Sequence, residues 1–493
     1  MASDAAGWRF DNSYARLPSA LFSRVVPQPV RRPRLAVLNE RLAADLGLDP
    51  QALAGDAGAA IFSGKALPPG AEPIAQAYAG HQFGHFVNLG DGRAILLGEQ
   101  ITPAGTRFDI QLKGSGRTPY SRSGDGRAAL GPMLREHVIG EAMHALGIPT
   151  TRSLAVATTG EAVLREEPLP GAVLVRVAAS HIRVGTFQYA AALGDPAVLQ
   201  ALLGHAVARH DPDLAGADDP ALALLDAVVG RQAALVAKWL LVGFVHGVMN
   251  TDNMAVSGET IDYGPCAFLD AYDPATTFSS IDRQGRYAYG NQPGITHWNL
   301  ARLAESLLPA VRGDERAGLA AAEEVLATFP ARFEREFAAG LRAKLGLVTV
   351  EEGDAALGRR LLGCMQESRA DFTATFAALA DLAEVAAVPQ AGGAAPIATA
   401  AFHDWWREWA ARLGRQPGAP ADAAAVMRRS NPVVIPRNHR VEEALAAAQG
   451  GDMALLESLL AAVQEPFVAT PANEPYRQGP PAGCGPYRTF CGT

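Results

Sequence analysis

Cysteine is scarce in this sequence. Among its 493 residues there are four cysteines, which are Cys266, Cys364, Cys484 and Cys491. So small and widely spaced a set excludes a disulfide-rich scaffold and a structural zinc site. Cys484 and Cys491 fall in a Gly- and Pro-rich C-terminal stretch, where a thiol is better placed for redox chemistry than for packing.

A long uncharged apolar run and an excess of basic residues are also missing. The best candidate for a membrane span, residues 233–249, is interrupted by Lys238 and His246, and the first eight residues do not resemble a signal peptide. We therefore predict a cytoplasmic protein. A formal net charge of −8 argues against nucleic acid as its main partner. A hydrophobic content of 48% predicts a globular protein, and the length allows two or three domains.

The segment from residue 246 to residue 264 contains a possible metal site. Asp252 and Asn253 stand side by side, and Asp262 follows nine residues after Asn253. Carboxylate and amide oxygens are ligands that Mg²⁺ prefers in proteins. Residues 254–261 have apolar arms around a Ser-Gly-Glu turn, which predicts a short hairpin that returns Asp262 to Asn253. Taken alone, the segment is equally compatible with a magnesium site and with a solvated loop rich in Asp and Asn.

The first half of the chain alternates strand and helix patterns. A Gly-Asp-Gly-Arg turn at residues 90–93 leads into a predicted strand over residues 94–101, and Lys113 ends a second strand. A helix predicted over residues 128–146 carries Glu136. Kinase-like folds use a strand lysine and a helix glutamate in this order to fix nucleotide phosphates. The alternative is two surface charges without contact.

Further basic residues are candidates for binding phosphate. Residues 121–127 form a Gly-rich basic loop at the predicted helix N-terminus, where free N–H groups bind anions. Arg176 on a predicted strand and Arg183 on the following loop carry forked donors that suit a polyphosphate clamp. A strand arginine that faces solvent is the commoner case.

These patterns predict an α+β fold with four regions. They are an N-terminal wrapping extension at 1–75, a mixed α/β nucleotide-binding lobe at 76–190, a mostly helical lobe with the catalytic and metal loops at 191–385, and a helical C-terminal extension with the cysteine-containing tail at 386–493. The finer pattern predicts a helix over 35–46, separate strands over 154–158 and 162–165, and continuous helices over 318–345 and 355–382.

Taken in order, these motifs resemble the selenoprotein O family, whose bacterial members are also called YdiU proteins. The resemblance spans nearly the whole chain, including residues 435–439 (Ile-Pro-Arg-Asn-His) and the C-terminal cysteine. It implies a two-lobed protein-kinase-like fold and transfer of AMP, or in some members UMP, to Ser, Thr or Tyr hydroxyls of proteins. It also implies a nucleotide bound in the reverse direction from kinases, with its α-phosphate toward Asp252.

The resemblance implies a role for each motif residue. Asp252 is the expected general base, Asn253 and Asp262 are the expected ligands of Mg²⁺ or Mn²⁺, and Lys113 is expected to contact phosphate. Independently of the resemblance, Gly247 and Val248 stand where a kinase has its base, so Asp252 is the only acid available there. The other residues expected at the site of ATP, or UTP, are Gly90, Gly92, Arg93, Asp125, Gly126, Glu136, Arg176, Arg183 and Asp262.

The expected partners are protein substrates and a nucleoside triphosphate, with no nucleic acid and no membrane, and a monomer is expected. A small-molecule phosphotransferase and a non-catalytic nucleotide-binding redox scaffold remain as alternative functions. Some family members pair the C-terminal cysteine with a cysteine in the loop after the metal site, but residues 276–280 contain none. A disulfide between Cys491 and Cys266, the nearest cysteine in sequence, and a free Cys491 thiol therefore both remain open.

Overall fold

An antiparallel sheet and a large set of helices make up the α+β fold that the sequence predicts. The computed structural model describes residues 6–384, 397–481, 483 and 487–489. The strands are β1 (Phe22–Arg24), β2 (Arg34–Leu38), β3 (Ile74–Gln76), β4 (Ala79–Gln82), β5 (His85–Asn88), β6 (Ala94–Ile101), β7 (Arg107–Lys113), β8 (Ala128–Ala129), β9 (Arg152–Leu164), β10 (Pro168–Ala178), β11 (Phe244–Val245) and β12 (Ala267–Phe268).

Eight strands of the described residues form one sheet. The order is β1-β3-β6-β7-β10-β9-β2, and β8 pairs with β10 beside this path. The strand predicted over residues 94–101 is confirmed as β6. The two strands predicted over 154–158 and 162–165 are instead one strand of 13 residues, β9. Gly160 there has a φ of +70°, and the register between β9 and β10 shifts nearby, so the expected turn is an irregularity within the strand.

The N-terminal segment joins both edges of this sheet. β1 pairs with β3 at one edge and β2 pairs with β9 at the other, while the chain between them crosses one end of the sheet. The helix predicted over 35–46 is wrong for its first half, because residues 35–38 belong to β2. The helix starts at Glu40, where the side chain of Asn39 accepts a hydrogen bond from the Leu42 N–H group.

The helices cover the sheet and build the rest of the molecule. They are α1 (Glu40–Asp45), α2 (Pro50–Leu53), α3 (Asp56–Phe62), α4 (Leu130–Ala145), α5 (Val184–Ala192), α6 (Pro196–His210), α7 (Pro220–Leu241), α8 (Gln292–Leu307), α9 (Glu315–Ala327), α10 (Phe329–Lys344), α11 (Asp354–Ser368), α12 (Phe372–Glu384), α13 (Ala400–Leu413), α14 (Pro420–Ser430), α15 (Asn438–Gln449), α16 (Ala454–Gln464) and α17 (Glu474–Arg477).

Each face of the sheet has its own apolar core. The helices α4, α15 and α16 pack on one face, and the N-terminal helices α1 to α3 pack on the other. The predicted helices over 318–345 and 355–382 are each two helices. Pro330 at the start of α10 and Arg369, whose φ is +52°, mark the two breaks. Among the described helices, α7 alone is long and apolar enough to cross a membrane, and 56% of its apolar window is buried inside the protein.

Candidate active site

A cleft of about 760 Å³ lies between the sheet and the segment from residue 248 to residue 265. Every predicted site residue except Glu136 lines this cleft. Glu136 lies behind Lys113 and lines a neighbouring cavity of about 420 Å³. The residues that the sequence predicted and the cleft brings together are Gly90, Gly92, Arg93, Lys113, Asp125, Gly126, Arg176, Arg183, Asp252, Asn253 and Asp262.

The charged centre of the cleft is built around Asp262. Lys113 at the end of β7 donates from Nζ to Glu136 Oε2 at 2.7 Å and to Asp262 Oδ1 at 2.9 Å. Arg176 on β10 joins the same two acids, donating to Glu136 Oε1 from Nε at 2.7 Å and to Asp262 Oδ1 from Nη2 at 2.7 Å. Arg183 donates from Nη1 to Asp262 Oδ2 at 3.1 Å. Burial raises the pKa of Asp262, but the charges of Arg176, Lys113 and Arg183 outweigh it and hold that pKa well below its ordinary value.

The segment between Asn253 and Asp262 reaches this cluster without forming the predicted hairpin. Ala255 bridges to Arg183, and Thr260 bridges to Thr150, so the two arms pair with other parts of the chain rather than with each other. The prediction of a hairpin is wrong because the apolar arms find partners far away in sequence. Its consequence holds, since Asn253 and Asp262 still line one cleft.

Asp252 stands at the cleft with one oxygen unpaired. Its side chain is buried, and its Oδ1 has no hydrogen-bond partner among the described residues. Burial raises the pKa of Asp252 to about 6, although the charge of Arg183 opposes that shift. Gly80 on β4 makes room for this carboxylate, because a Cβ atom at that position would lie 2.2 Å from Asp252 Oδ1. A buried carboxylate with a raised pKa and a free oxygen is suited to accept a proton.

Hydrogen bonds from the β4–β5 hairpin hold the loop around Asp252. The N–H group of His81 donates to Thr251 Oγ1 at 2.7 Å, and the N–H group of Phe83 donates to Asn250 Oδ1 at 3.1 Å. Gln188 on α5 accepts from the Thr251 hydroxyl at 2.6 Å. The position of Asp252 is therefore set by two elements that are remote from it in sequence.

Asn253 and Asp262 offer a donor set that fits a divalent cation. Asn253 donates from Nδ2 to the carbonyl oxygen of Val248 at 3.0 Å, which leaves its Oδ1 as an available oxygen ligand. The described residues contain no cluster of three or more His, Cys, Asp or Glu side chains suited to a metal. One amide and one carboxylate oxygen suit Mg²⁺, which usually takes its remaining ligands from phosphate and water.

Glycines bring loop backbones close together along the cleft. A Cβ atom at Gly90, whose φ is +128°, would lie 2.5 Å from the Tyr120 ring. A Cβ atom at Gly126, whose φ is +69°, would lie 2.2 Å from the backbone of Gly116. Both positions therefore require glycine. The neighbouring Asp125 is held by Arg165, whose Nη1 donates to Asp125 Oδ2 at 2.9 Å.

Sequence reasoning missed several residues of the cleft. Tyr78 places its ring under Arg183, with the guanidinium carbon 4.5 Å from the ring centroid. Tyr120 and Arg165 line the cleft, and so does Asp91. Asp91 was detectable, because it stands inside the Gly-Asp-Gly-Arg turn. Tyr78 and Arg165 carry no local signal, since only tertiary packing brings them to the site.

The cysteine hypotheses have different outcomes. Cys491 lies outside the described residues, so its disulfide stays a prediction. Cys266 is fully buried and forms no disulfide with the other cysteine that the structure describes, Cys364. Burial raises the pKa of Cys266 to about 12, which disfavours the thiolate needed for exchange.

Comparison with known proteins gives one consistent result. A family model described as "Protein adenylyltransferase SelO" matches residues 6–464. The protein nucleotidyltransferase YdiU of Geobacillus kaustophilus is 59% identical over 489 residues, which cover 99% of this chain and 100% of that protein. The proteins of the same name from Brevibacillus brevis and Syntrophotalea carbinolica are 59% and 58% identical, each over 488 residues that cover 99% of this chain and 98% of the relative.

Proposed function

Because this chain belongs to the SelO family of protein adenylyltransferases, we propose that it transfers AMP from ATP to Ser, Thr or Tyr hydroxyls of proteins, with UMP from UTP as the alternative. It is a protein nucleotidyltransferase, whose substrates are a nucleoside triphosphate and a protein. One observation carries the finer assignment: Asp252, whose buried Oδ1 has no hydrogen-bond partner among the described residues, lines the same cleft as Lys113, Arg176 and Arg183.

We propose a two-lobed, kinase-like arrangement with the nucleotide between the lobes. In this arrangement, residues 76–190 form the nucleotide-binding lobe and residues 191–385 form the catalytic lobe. The ion pair between Lys113 on β7 and Glu136 on α4 supports it, because kinases use a strand lysine and a helix glutamate in this way. The loop positions of Asn253 and Asp262 support it as well.

The proposed reaction is an in-line substitution at the α-phosphorus. The acceptor hydroxyl oxygen bonds to the α-phosphorus, the bond between that phosphorus and the bridging oxygen breaks, and pyrophosphate leaves. Asp252 accepts the hydroxyl proton, and Lys113, Arg176 and Arg183 hold the phosphate oxygens. Asn253 and Asp262 would hold a divalent ion, which would supply counter-charge to the triphosphate. This assignment requires the α-phosphate to face Asp252, which is the reverse of a kinase.

The test uses nucleotides labelled at different phosphates. Purified protein is incubated with a protein extract and with ATP labelled at the α- or the γ-phosphate, and then with α-labelled UTP. We expect protein-bound label from α-labelled nucleotide and none from γ-labelled ATP. Label from the γ-phosphate alone would indicate a phosphotransferase instead. The absence of label from both, with and without Mg²⁺ or Mn²⁺, would favour a non-catalytic nucleotide-binding scaffold.

A further inference from the structure

Asp91 is a buried carboxylate of the cleft that the proposed reaction does not use. It stands in the turn between β5 and β6 and is 1% exposed. Its Oδ2 accepts from the N–H group of Gln76 at 3.0 Å and from Gln111 Nε2 at 3.4 Å. Its Oδ1 is buried and has no hydrogen-bond partner in the described part of the chain. Burial shields that oxygen from water, and no hydrogen bond within the described residues compensates for the lost hydration. This costs folding free energy unless the oxygen gains a hydrogen-bond partner in another state of the protein, such as the nucleotide-bound state.

Arg183 is the cation that this oxygen faces. Arg183 Nη2 lies 4.0 Å from Asp91 Oδ1, beyond hydrogen-bond distance. Its Nη1 donates instead to Asp262 Oδ2 at 3.1 Å and to the carbonyl oxygen of Asp252 at 2.8 Å. The guanidinium lies over the flat ring of Tyr78, a contact that tolerates sliding parallel to the ring. A shift of about 1 Å would complete a hydrogen bond to Asp91.

The cations around Asp262 each have a second carboxylate nearby. Lys113 and Arg176 also donate to Glu136, so both keep a partner if Asp262 turns to a metal ion. For Arg183 that second carboxylate is Asp91. Asp91 is therefore the second carboxylate near Arg183, as Glu136 is the second carboxylate for Lys113 and Arg176.

We propose that Asp91 is a positioning residue. When Asp262 binds the metal and nucleotide, Asp91 accepts a hydrogen bond from Arg183 and keeps its guanidinium directed at the phosphates. Asp91 itself touches neither substrate. The inference rests on the proposed function, because it requires Asp262 to serve as a metal ligand in the loaded state.

The Asp91→Asn variant separates this role from a simple effect of charge. Removing a negative charge would by itself strengthen the binding of an anionic triphosphate. Losing the anchor of Arg183 weakens it instead, by about tenfold if one charge-assisted hydrogen bond is lost. We expect the dissociation constant of a non-hydrolysable ATP analogue with Mg²⁺, measured by titration calorimetry, to rise about tenfold. Unchanged or tighter binding would overturn the proposal.

A double-mutant cycle distinguishes positioning from general damage to the site. In the Arg183→Met background, Asp91→Asn should cause no further loss of affinity, because the residue it positions is gone. In the Lys113→Met background the same substitution should keep its full effect. An equal loss in both backgrounds would show that Asp91 only maintains the fold.

A structure of the unaltered protein gives a second test that does not depend on a variant folding. With Mg²⁺ and the analogue bound, Arg183 is expected within about 3 Å of Asp91 Oδ1. A guanidinium that remains 4 Å away overturns the inference. The two titration experiments measure binding, the structure measures a distance, and none of the three depends on turnover. A failure to find AMP transfer would therefore count against the proposed function and leave the Asp91 result to be judged separately.

Discussion

At the scale of single residues, Asp252 allows binding and chemistry to be separated. If Asp252 is the general base, Asp252→Asn should slow the chemical step by about 10²- to 10⁴-fold, since no other group takes the proton. Nucleotide affinity should change little, because Lys113, Asn253 and Asp262 remain. Single-turnover rates and nucleotide dissociation constants check this, with Asp213→Asn on the exposed surface as the matched control. A large loss of affinity with the rate preserved would make Asp252 a binding residue.

Gly80 is expected to be as important as the carboxylate it faces. In Gly80→Ala the new Cβ atom would lie 2.2 Å from Asp252 Oδ1, so the carboxylate must move. We expect transfer to fall steeply, with a stability cost of about 1–3 kcal/mol from overpacking. Gly204→Ala on α6 is the control, because no atom lies within 4 Å of its added Cβ. The control should raise stability by up to about 1 kcal/mol, through helix propensity. Activity in Gly80→Ala equal to that of Gly204→Ala would contradict the expected crowding of Asp252.

The residues of the candidate site were predictable where their chemistry appears in the local sequence. Acids, amides and glycines in fixed order identified Asp252, Asn253, Asp262 and the loops around Gly90 and Gly126. The contacts that hold neighbouring side chains of the cleft in place were not predictable in this way. Tyr78 under Arg183 and Arg165 on Asp125 depend on distant strands that meet only after folding.

At the scale of elements, a buried lysine at the end of α10 lowers the stability of the folded protein in a pH-dependent way. Lys344 is buried, with its Nζ 4.2 Å from the centroid of the Phe376 ring, and burial lowers its pKa from 10.5 to about 7. The unfolded state binds more protons than the folded state between these two values. The contribution of Lys344 to stability therefore improves as pH rises from about 7 to 10.5, by up to about 1.4 kcal/mol per pH unit.

The substitution Lys344→Met tests this linkage. The variant should be more stable than the parent at pH 7, and its advantage should shrink by pH 9. Urea unfolding at both pH values measures the difference, and Lys65→Met at an exposed position is the control. An advantage that does not change with pH would mean that Lys344 stays protonated in the folded protein throughout this range.

Residues 487–489 dock against the segment that follows Asp262, at Pro265 and Phe278. Thr489 donates from its N–H group to the carbonyl oxygen of Phe278 at 2.8 Å and from its hydroxyl to that of Pro265 at 2.9 Å. The near-isosteric Thr489→Val removes the hydroxyl bonds at a cost of about 1 kcal/mol. We expect faster hydrogen exchange at Thr489 and Ser280, with no change in the sheet. Unchanged exchange at both amides would mean that the hydroxyl does not hold residues 487–489 in place.

Helices and strands were predicted well where the local sequence pattern determines them. They were predicted poorly where pairing with a distant segment determines the structure. The strand β6 and the helix α4 followed from their own residues. Residues 35–38 join β9 as a strand because that edge is available, although their pattern also suits a helix. The hairpin predicted over 254–261 fails in the same way. Its apolar arms pair with distant segments, which sequence alone does not reveal.

At the scale of the whole molecule, the N-terminal segment is part of the sheet and of its apolar core. Trp8, Leu42 and Phe62 pack against strand residues on one face, while β1 and β2 complete the edges. Deletion of residues 1–38 should therefore expose strand edges and apolar surface, and cause association. Light scattering coupled to size-exclusion chromatography measures this. A monodisperse truncated protein with an unchanged melting temperature would make the segment dispensable.

The strand order also determines when each edge strand can pair while the chain is being synthesised. Arg34 on β2 pairs with Thr158 on β9, which the ribosome adds 124 residues later. At about 5–20 residues per second, the edge strand β2 waits roughly 6–25 s for β9, the strand that pairs with it. During that interval its backbone is open to any other extended chain nearby. We therefore expect the newly made N-terminus to depend on chaperones that bind nascent chains until β9 has emerged.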